Sequence, residues 1–316
     1  MITTLTANPS IDRTVSVDRL VPGAVLRTSA VQVEFAGKGV NLARTLAANG
    51  RPAKAVICAN NRQIAEHTEV LRQAGVETHI VATDGPLRTN LTIIEADGTT
   101  TKINESGPSL RASAQEALLD AAVNHGKDAQ WLVANGSLPP NPPADFYVQL
   151  ANRLLRPASQ LVIDTSGEAL KQMVGVACAI AKPNLNELAS LVEAKPETVG
   201  DVVDAANQLR QHECGWGTVL VSLGAGGAVL VGERVFFGTS EACDIKNTVG
   251  AGDALLAGFL AAGARGSTAL HTALAWARAA VRSANTVAPP CGNEDLAATK
   301  VTDEVPFALP VGHLLG

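Results

Sequence analysis

The sequence predicts an α/β protein, a mainly parallel sheet with helices on both faces and a small β-sheet added to it. Three observations carry that expectation. Short apolar runs rich in β-branched residues alternate with longer stretches of helical spacing, the order that builds parallel sheets through crossover helices. The apolar runs do not alternate with polar residues, which marks strands buried on both faces. Two segments, 11–35 and 88–105, break the rhythm and lack a helical period, so they belong to a separate set of strands.

In chain order, ITTLTA reads as a strand and KGVNLARTLAANG as a helix that Gly50 ends. KAVICA is a strand, QIAEHTEVLRQAG a helix stopped by Gly75, and THIVAT a strand. QWLVANG, QLVIDTS, CAIAKPN and TVLVSLG follow, each a compact apolar run, and most precede a helical segment. Within 11–35 and 88–105 the pattern is that of amphipathic strands and hairpins, with ADGT as a turn. These boundaries divide the chain into an α/β core of residues 1–10, 36–87 and 106–316 and an inserted β unit of 11–35 and 88–105. After about Cys291 the chain reads as irregular. Parallel sheets bind ligands beyond the carboxyl ends of their strands. Asn8 and Asp12, Asn135 to Ser137, Asp164 to Ser166, Lys182 to Glu187, and Ser222 to Gly227 are therefore expected along one edge.

The 316 residues suffice for one large domain or two ordinary ones, and with 46% hydrophobic residues against 17% charged a sizeable core can be buried. Aromatic residues are only 3%, so the core is built from Ala, Val, Leu and Ile, and no stacking surface for single-stranded nucleic acid is available. A net charge of −5 without a basic block argues against a nucleic-acid partner. The five cysteines are odd in number and show no C-x-x-C spacing, which fits a reduced, cytoplasmic setting better than a disulfide framework or zinc site. MITTLTANPS has no signal-peptide pattern, and the longest apolar run, ALLAGFLAAGA, is too short to span a bilayer, so no membrane partner is expected.

Four segments are candidates for chemistry. In TVGAGD, residues 248–253, Gly250, Ala251 and Gly252 precede Asp253 and an apolar helical run. Unpaired N–H groups at a helix start attract anions, and glycines let them approach. The segment reads either as an anion cradle beside a base or as a helix capped by its Asp. In EFAGKGVNLA, Lys38 lies between Gly37 and Gly39, with Asn41 following. A lysine at a helix N-terminus is unfavourable unless an anion is near, so this is either a phosphate-binding turn or a plain one. It is not a P-loop, because Gly39 stands where Ser or Thr is required. SLGAGGAVLV fails the dinucleotide spacing and reads as a glycine-rich hairpin. In AKPNLNELASLV, Asn184 and Glu187 share a helix face and either hold waters around Mg²⁺ or form a solvated helix start. QHEC at 211–214 reads as an exposed helix end.

In combination the segments resemble the ribokinase-like (PfkB) family of carbohydrate kinases, closest to its bacterial 1-phosphofructokinase branch. The matching motifs run in family order: TLTANPSID, AGKGVN, GSLPP, DTSGEAL, KPNLNELA, VSLGAGGA and TVGAGDALLAGF. The resemblance implies a three-layer αβα domain with a mainly parallel central sheet and a small β-sheet lid. It implies Asp253 as the base, with Gly250, Ala251 and Gly252 offering amides to the transferring phosphoryl group. It implies Lys182, Asn184, Ser222, Gly224, Ala225 and Gly227 along ATP, and Asn184 and Glu187 positioning Mg²⁺ through water. Asp12, Gly37 and Asn41 would face the sugar, and Lys38, Arg88, Arg27 and Ser137 its phosphate. Asp253 is expected to stay ionised. Three features depart from the family pattern: the glycine-free NNRQIAEHTEVL after KAVICA, Asn141 where Gly is usual, and Ala36 where many relatives have Gly.

The activity implied is ATP-dependent phosphorylation of fructose 1-phosphate to fructose 1,6-bisphosphate. Fructose 6-phosphate and tagatose 6-phosphate are alternatives within the same chemistry. A sugar-phosphate sensor without turnover is a third reading, against which stands the intact set Asp253, Gly250, Gly252, Asn184 and Glu187. The edges and apolar face of the inserted strands need cover, which suggests a homodimer through the lid.

Overall fold

The computed structural model describes residues 1–60, 62, 64–140, 143–156, 160–212 and 214–314. Its main sheet has ten strands in the order β14-β13-β12-β11-β10-β9-β8-β1-β4-β5. Seven of them run parallel: β5 (Glu77–Thr83), β4 (Ala53–Asn60), β1 (Ile2–Thr6), β8 (Trp131–Asn135), β9 (Leu161–Asp164), β10 (Cys178–Ala181) and β11 (Trp216–Ser222). The other three, β12 (Ala228–Val231), β13 (Val235–Ser240) and β14 (Thr299–Thr302), extend one edge antiparallel.

Helices cover both faces. Side chains of α3 (Ala112–Gly126), α4 (Phe146–Arg153), α5 (Gly167–Lys171), α6 (Leu185–Val192) and α7 (Val199–Arg210) pack with Leu5, Val56, Val219 and Val221 in one core. Side chains of α1 (Lys38–Ala48), α2 (Ile64–Gln73), α8 (Ala251–Ala261) and α9 (Gly266–Val281) pack with Ile2, Ala55, Ile57 and Leu220 in the other. Successive strand residues thus enter opposite cores, which is why the strands read as unbroken apolar runs. No helix among the described residues is long and apolar enough to cross a membrane.

A second sheet of four strands has the order β3-β2-β6-β7, from β2 (Ser10–Val17), β3 (Ala30–Ala36), β6 (Arg88–Glu95) and β7 (Thr100–Asn104). Its register sorts the side chains. Val15, Val31, Val33, Leu91, Ile93 and Ile103 share one face, and Asp12, Glu34, Arg88 and Asn90 the other. The polar face is tied to the core by Gln32 Nε2 donating to Asn285 Oδ1 and by the Thr286 N–H donating to Glu34.

The tail corrects the sequence reading. Residues after Cys291 form a helix, α10 (Asn293–Ala297), and β14, which pairs with β13 and completes the sheet edge. A four-residue strand carrying one large apolar side chain, Val301, is too short to show a period. Of QHEC, Gln211 and His212 follow the end of α7, and Glu213 lies outside the described residues, as do Asn61 and Gln63 of the glycine-free stretch and Asn141.

Candidate active site

The carboxyl ends of the central strands meet. At the end of β8 the Gly136 N–H donates to the Asp164 carbonyl at the end of β9, and Thr165 Oγ1 donates to the Gly136 carbonyl. Tyr147 reaches up from α4 and donates to the carbonyls of Asn135 and Gly136. Beyond β10 the Ser222 N–H donates to the Pro183 carbonyl, and Asn184 forms a β-bridge with Ser222. Four of the strand ends expected along one edge are therefore joined. Asn8 turns instead to the Ser106 carbonyl.

Over this edge stands the N-terminus of α8. Gly250 is its N-cap, with φ at 82°, in the left-handed region that favours glycine. Asp253 occupies the third helical position and does not cap the helix. Its Oδ2 accepts from Asn41 Nδ2 at 3.0 Å, a contact across 212 residues. The first backbone hydrogen bond of the turn is Ala254 N–H to the Gly250 carbonyl, which leaves the amides of residues 251–253 available to a ligand. The turn thus combines open amides with an acid that does not cap them and that is held by Asn41 of another helix.

Two lysines and a second carboxylate complete a buried charge cluster. Asp164, 1% exposed, accepts on Oδ1 from Lys38 Nζ at 2.8 Å and pairs through the same oxygen with Lys182 Nζ at 3.2 Å. Lys182 Nζ also lies against Gly252, 3.6 Å from where a Cβ would sit. Burial pushes Asp253 up, and the neighbouring charge of Asp164 adds to it; Lys38, Asn41 and Lys182 counter only part, and the carboxyl titrates at about 6. The expectation of a permanently ionised Asp253 is thus modified: it is ionised at neutral pH and takes a proton just below. Burial pushes Asp164 up as well, but Lys182 and Lys38 outweigh it and hold that carboxyl below the usual range. Burial pulls Lys38 down, and Asp164, Asp253 and Glu187 together keep it above its ordinary value. The anion that the position of Lys38 demands is therefore a protein carboxylate, which removes the electrostatic argument for a ligand phosphate there. Its side chain remains 35% exposed, so the ammonium is still accessible from one side.

A cavity of about 430 Å³ lies beside the α8 turn, lined by Ala251 and Gly252 and not by the charged cluster itself. Ala251 and Gly252 close one end, Ser222, Gly224, Ala225 and Gly227 form a polar rim, and Ile245, Leu255, Leu274 and Val281 line an apolar wall. Gly227 turns the hairpin at φ 93°, where a side chain would meet the Gly238 carbonyl at 2.0 Å. The glycine-rich segment is thus a hairpin and a cavity wall at once.

Asn184 and Glu187 form a reciprocal capping box on α6: Asn184 Oδ1 accepts from the Glu187 N–H, and Glu187 Oε2 accepts from the Asn184 N–H, both at 2.8 Å. The helix-start reading therefore describes their protein contacts. No group of three or more His, Cys, Asp or Glu among the described residues could hold a metal. Mg²⁺ keeps most of its waters and takes one or two carboxylates plus substrate phosphates. The free Oε1 of Glu187, close enough to act on Lys38, fits such a sparse set.

On the polar face of the small sheet, Asp12 Oδ1 accepts from Ser10 Oγ at 2.7 Å and Asn90 Nδ2 at 2.9 Å. Arg88 lies next to this pair; burial pulls its guanidinium down, Asp12 opposes that, and its Nε is buried without a partner. Gly37 caps α1 at φ 132°, and Ser137 follows Gly136, whose Cβ would touch that of Lys38. Arg27 sits in the exposed connection between β2 and β3, without an ion pair or side-chain hydrogen bond to another described residue.

Asp164 is the residue that the sequence reading placed on the edge but gave no role. Its signal was an acid ending an apolar run, LVID, where a fully buried strand leaves no water for a carboxylate. Asn90, holding Asp12, was missed for want of any motif.

A family model described as pfkB family carbohydrate kinase matches residues 5–290. The chain is 34% identical to the 1-phosphofructokinase of Haloferax volcanii over 265 residues, 83% of this chain and 84% of that protein. It is 31% identical to the ATP-dependent 6-phosphofructokinase isozyme 2 of Mycobacterium tuberculosis, over 84% of this chain and 78% of that protein. Among solved structures, phosphofructokinase-2 from Escherichia coli in complex with substrates and products superposes with a TM-score of 0.82 at 26% identity, covering 94% of this chain and 97% of that one.

Proposed function

Since the chain belongs to the pfkB family of carbohydrate kinases, phosphotransferases with an alcohol acceptor, we propose that it phosphorylates fructose 1-phosphate to fructose 1,6-bisphosphate with ATP. The observation that carries the reading is Asp253: a buried carboxylate in the first turn of a helix whose amides are open, held by Asn41 and not used as a cap. A helix with a plain capping Asp has no reason to bury it among two lysines.

The residues divide the work as follows. The acceptor hydroxyl lies against Asp253, which takes its proton as the phosphoryl group arrives. The amides of Ala251 and Gly252 face the negative charge that develops on that group, with Lys182 beside them. ATP lies along the cavity, its base on the apolar wall and its phosphates toward Ser222, Gly224, Ala225 and Gly227. Asn184 and Glu187 would hold Mg²⁺ through water, and the ion would supply positive charge to offset that of the nucleotide phosphates. Asp12 and Asn41 take sugar hydroxyls, Gly37 lets the backbone approach, and Lys38, Arg88, Ser137 and Arg27 take the phosphate already present. Phosphoryl transfer needs mainly positioning and charge, so a base titrating at about 6 is sufficient.

The inserted strands serve as a lid, the unit of 11–35 and 88–105 closing over the core. Val31, Val33 and Ile103 on its outer face are 48%, 56% and 55% exposed, and a second copy of the chain covers them in a homodimer. Sedimentation of Val33→Lys as a monomer beside a dimeric parent is the expected outcome.

The deciding experiment measures ADP release with Mg²⁺ and ATP on fructose 1-phosphate, fructose 6-phosphate, tagatose 6-phosphate and free fructose at low equal concentrations. Preference for fructose 1-phosphate is expected. Preference for another phosphosugar keeps the chemistry and changes the substrate. Activity on free fructose alone refutes the phosphate roles of Lys38 and Arg88, and binding without turnover on any of them returns the sensor.

A further inference from the structure

The mechanism above uses three of the four charges in the buried cluster and leaves Asp164 idle. That is costly for an inert group. Asp164 is the last residue of β9 and 1% exposed, and a carboxylate there must be compensated or it destabilises the fold. The compensation is lopsided. Oδ1 takes both Lys38 and Lys182, at 2.8 and 3.2 Å, while Oδ2 is buried without a partner. A carboxylate selected only to fill space would satisfy both oxygens. This one draws two ammonium groups from separate elements, the start of α1 and the end of β10, to a single point. Lysine side chains are long and lose rotamer freedom when fixed, so drawing two of them to one oxygen is a cost that holding both in place for a ligand would justify.

We infer that Asp164 is the positioning residue of the site: its Oδ1 fixes Lys38 toward the sugar phosphate and Lys182 against Gly252, so that two cations flank the line of transfer. This rests on the proposed roles of Asp253, Lys38 and Lys182. It also explains why Lys38 tolerates the N-terminus of α1, where the helix dipole repels it.

The test is steady-state kinetics on the full chain with Mg²⁺, ATP and the preferred phosphosugar. The variants are Asp164→Asn, Lys38→Met, Lys182→Met, and Asp164→Asn combined with each lysine change. Asp164→Asn keeps the shape and should raise the phosphosugar KM and lower kcat, each by about tenfold or more. If Asp164 acts through the lysines, adding it to Lys38→Met leaves KM where Lys38→Met put it. Adding it to Lys182→Met likewise leaves kcat unchanged. Multiplying losses in both pairs, or wild-type kinetics in Asp164→Asn, overturn the inference. Should Asp164→Asn fail to fold, each paired variant removes a buried cation together with its anion and can still be compared with the single lysine change. Asp253→Asn, run alongside, separates the two levels. Turnover retained there sinks the base assignment, whereas turnover lost there with multiplying Asp164 and lysine losses sinks the positioning role alone.

Discussion

Two glycine-rich helix starts face each other across the site, and they use their glycines differently. At α1, a Cβ on Gly39 would lie 2.3 Å from Thr6 Oγ1 and 3.3 Å from Asn135 Cβ. Gly39 is there because the helix presses on β1 and β8. At α8, a Cβ on Gly252 would meet nothing closer than Lys182 Nζ at 3.6 Å, an ordinary contact. The fold does not require a glycine at 252. One glycine makes room for the protein itself, and the other keeps room for something that arrives. Two near-identical sequence phrases, GKG and GAG, thus divide between architecture and access.

The contrast can be broken in order of expected effect. Asp253→Asn removes the base from the open turn and should lower kcat about 10³-fold while leaving phosphosugar binding near normal, as isothermal titration beside kinetics would show. Gly252→Ala should fold with unchanged or slightly higher thermal stability yet lose about 10²-fold in kcat; full activity there would end the distinction between the two turns. Gly39→Ala should do the opposite, costing about 1–3 kcal/mol in denaturant unfolding, with the surviving folded protein still turning over. The pH profile sharpens the comparison further. Burial and Asp164 raise Asp253 to about 6, and a base works only when ionised, so kcat should fall as pH drops through about 6, tenfold per unit below it. A profile flat down to pH 5 would contradict the buried environment. The smallest effect is at α7, away from the site, where Thr198→Ala breaks a capping box and should cost about 1 kcal/mol of stability, read as a lower midpoint in urea.

The same contrast explains how much was legible in the sequence. The alternation of strands and helices could be read because each element announces itself within a dozen residues. Gly250 and Asp253 could be read because the turn and its acid are neighbours. What escaped depends on pairs far apart in the chain. Asn41 meets Asp253 across 212 residues and Lys38 meets Asp164 across 126, and no local pattern encodes either contact. The position of Lys38 at a helix start asks for an anion, and the chain supplies one in Asp164, which nothing near Lys38 in the sequence reveals. The tail was misread for the opposite reason: β14 is a strand because β13 offers an unpaired edge, and its own four residues say little.

That late strand has a consequence for how the protein comes into being. The Glu241 N–H donates to the Ala298 carbonyl, and Asp295 gathers Arg278 and Arg282; Glu241 and Arg278 are both walls of the large cavity. Synthesis proceeds from residue 1 onward, so the base, the lysines and the glycine turns are all made before the segment that steadies this wall. A nascent chain held at the ribosome short of residue 302 would possess every proposed catalytic group and still lack a finished chamber. Catalytic competence would then switch on only once this strand has been made and has docked, rather than growing with the length of the chain.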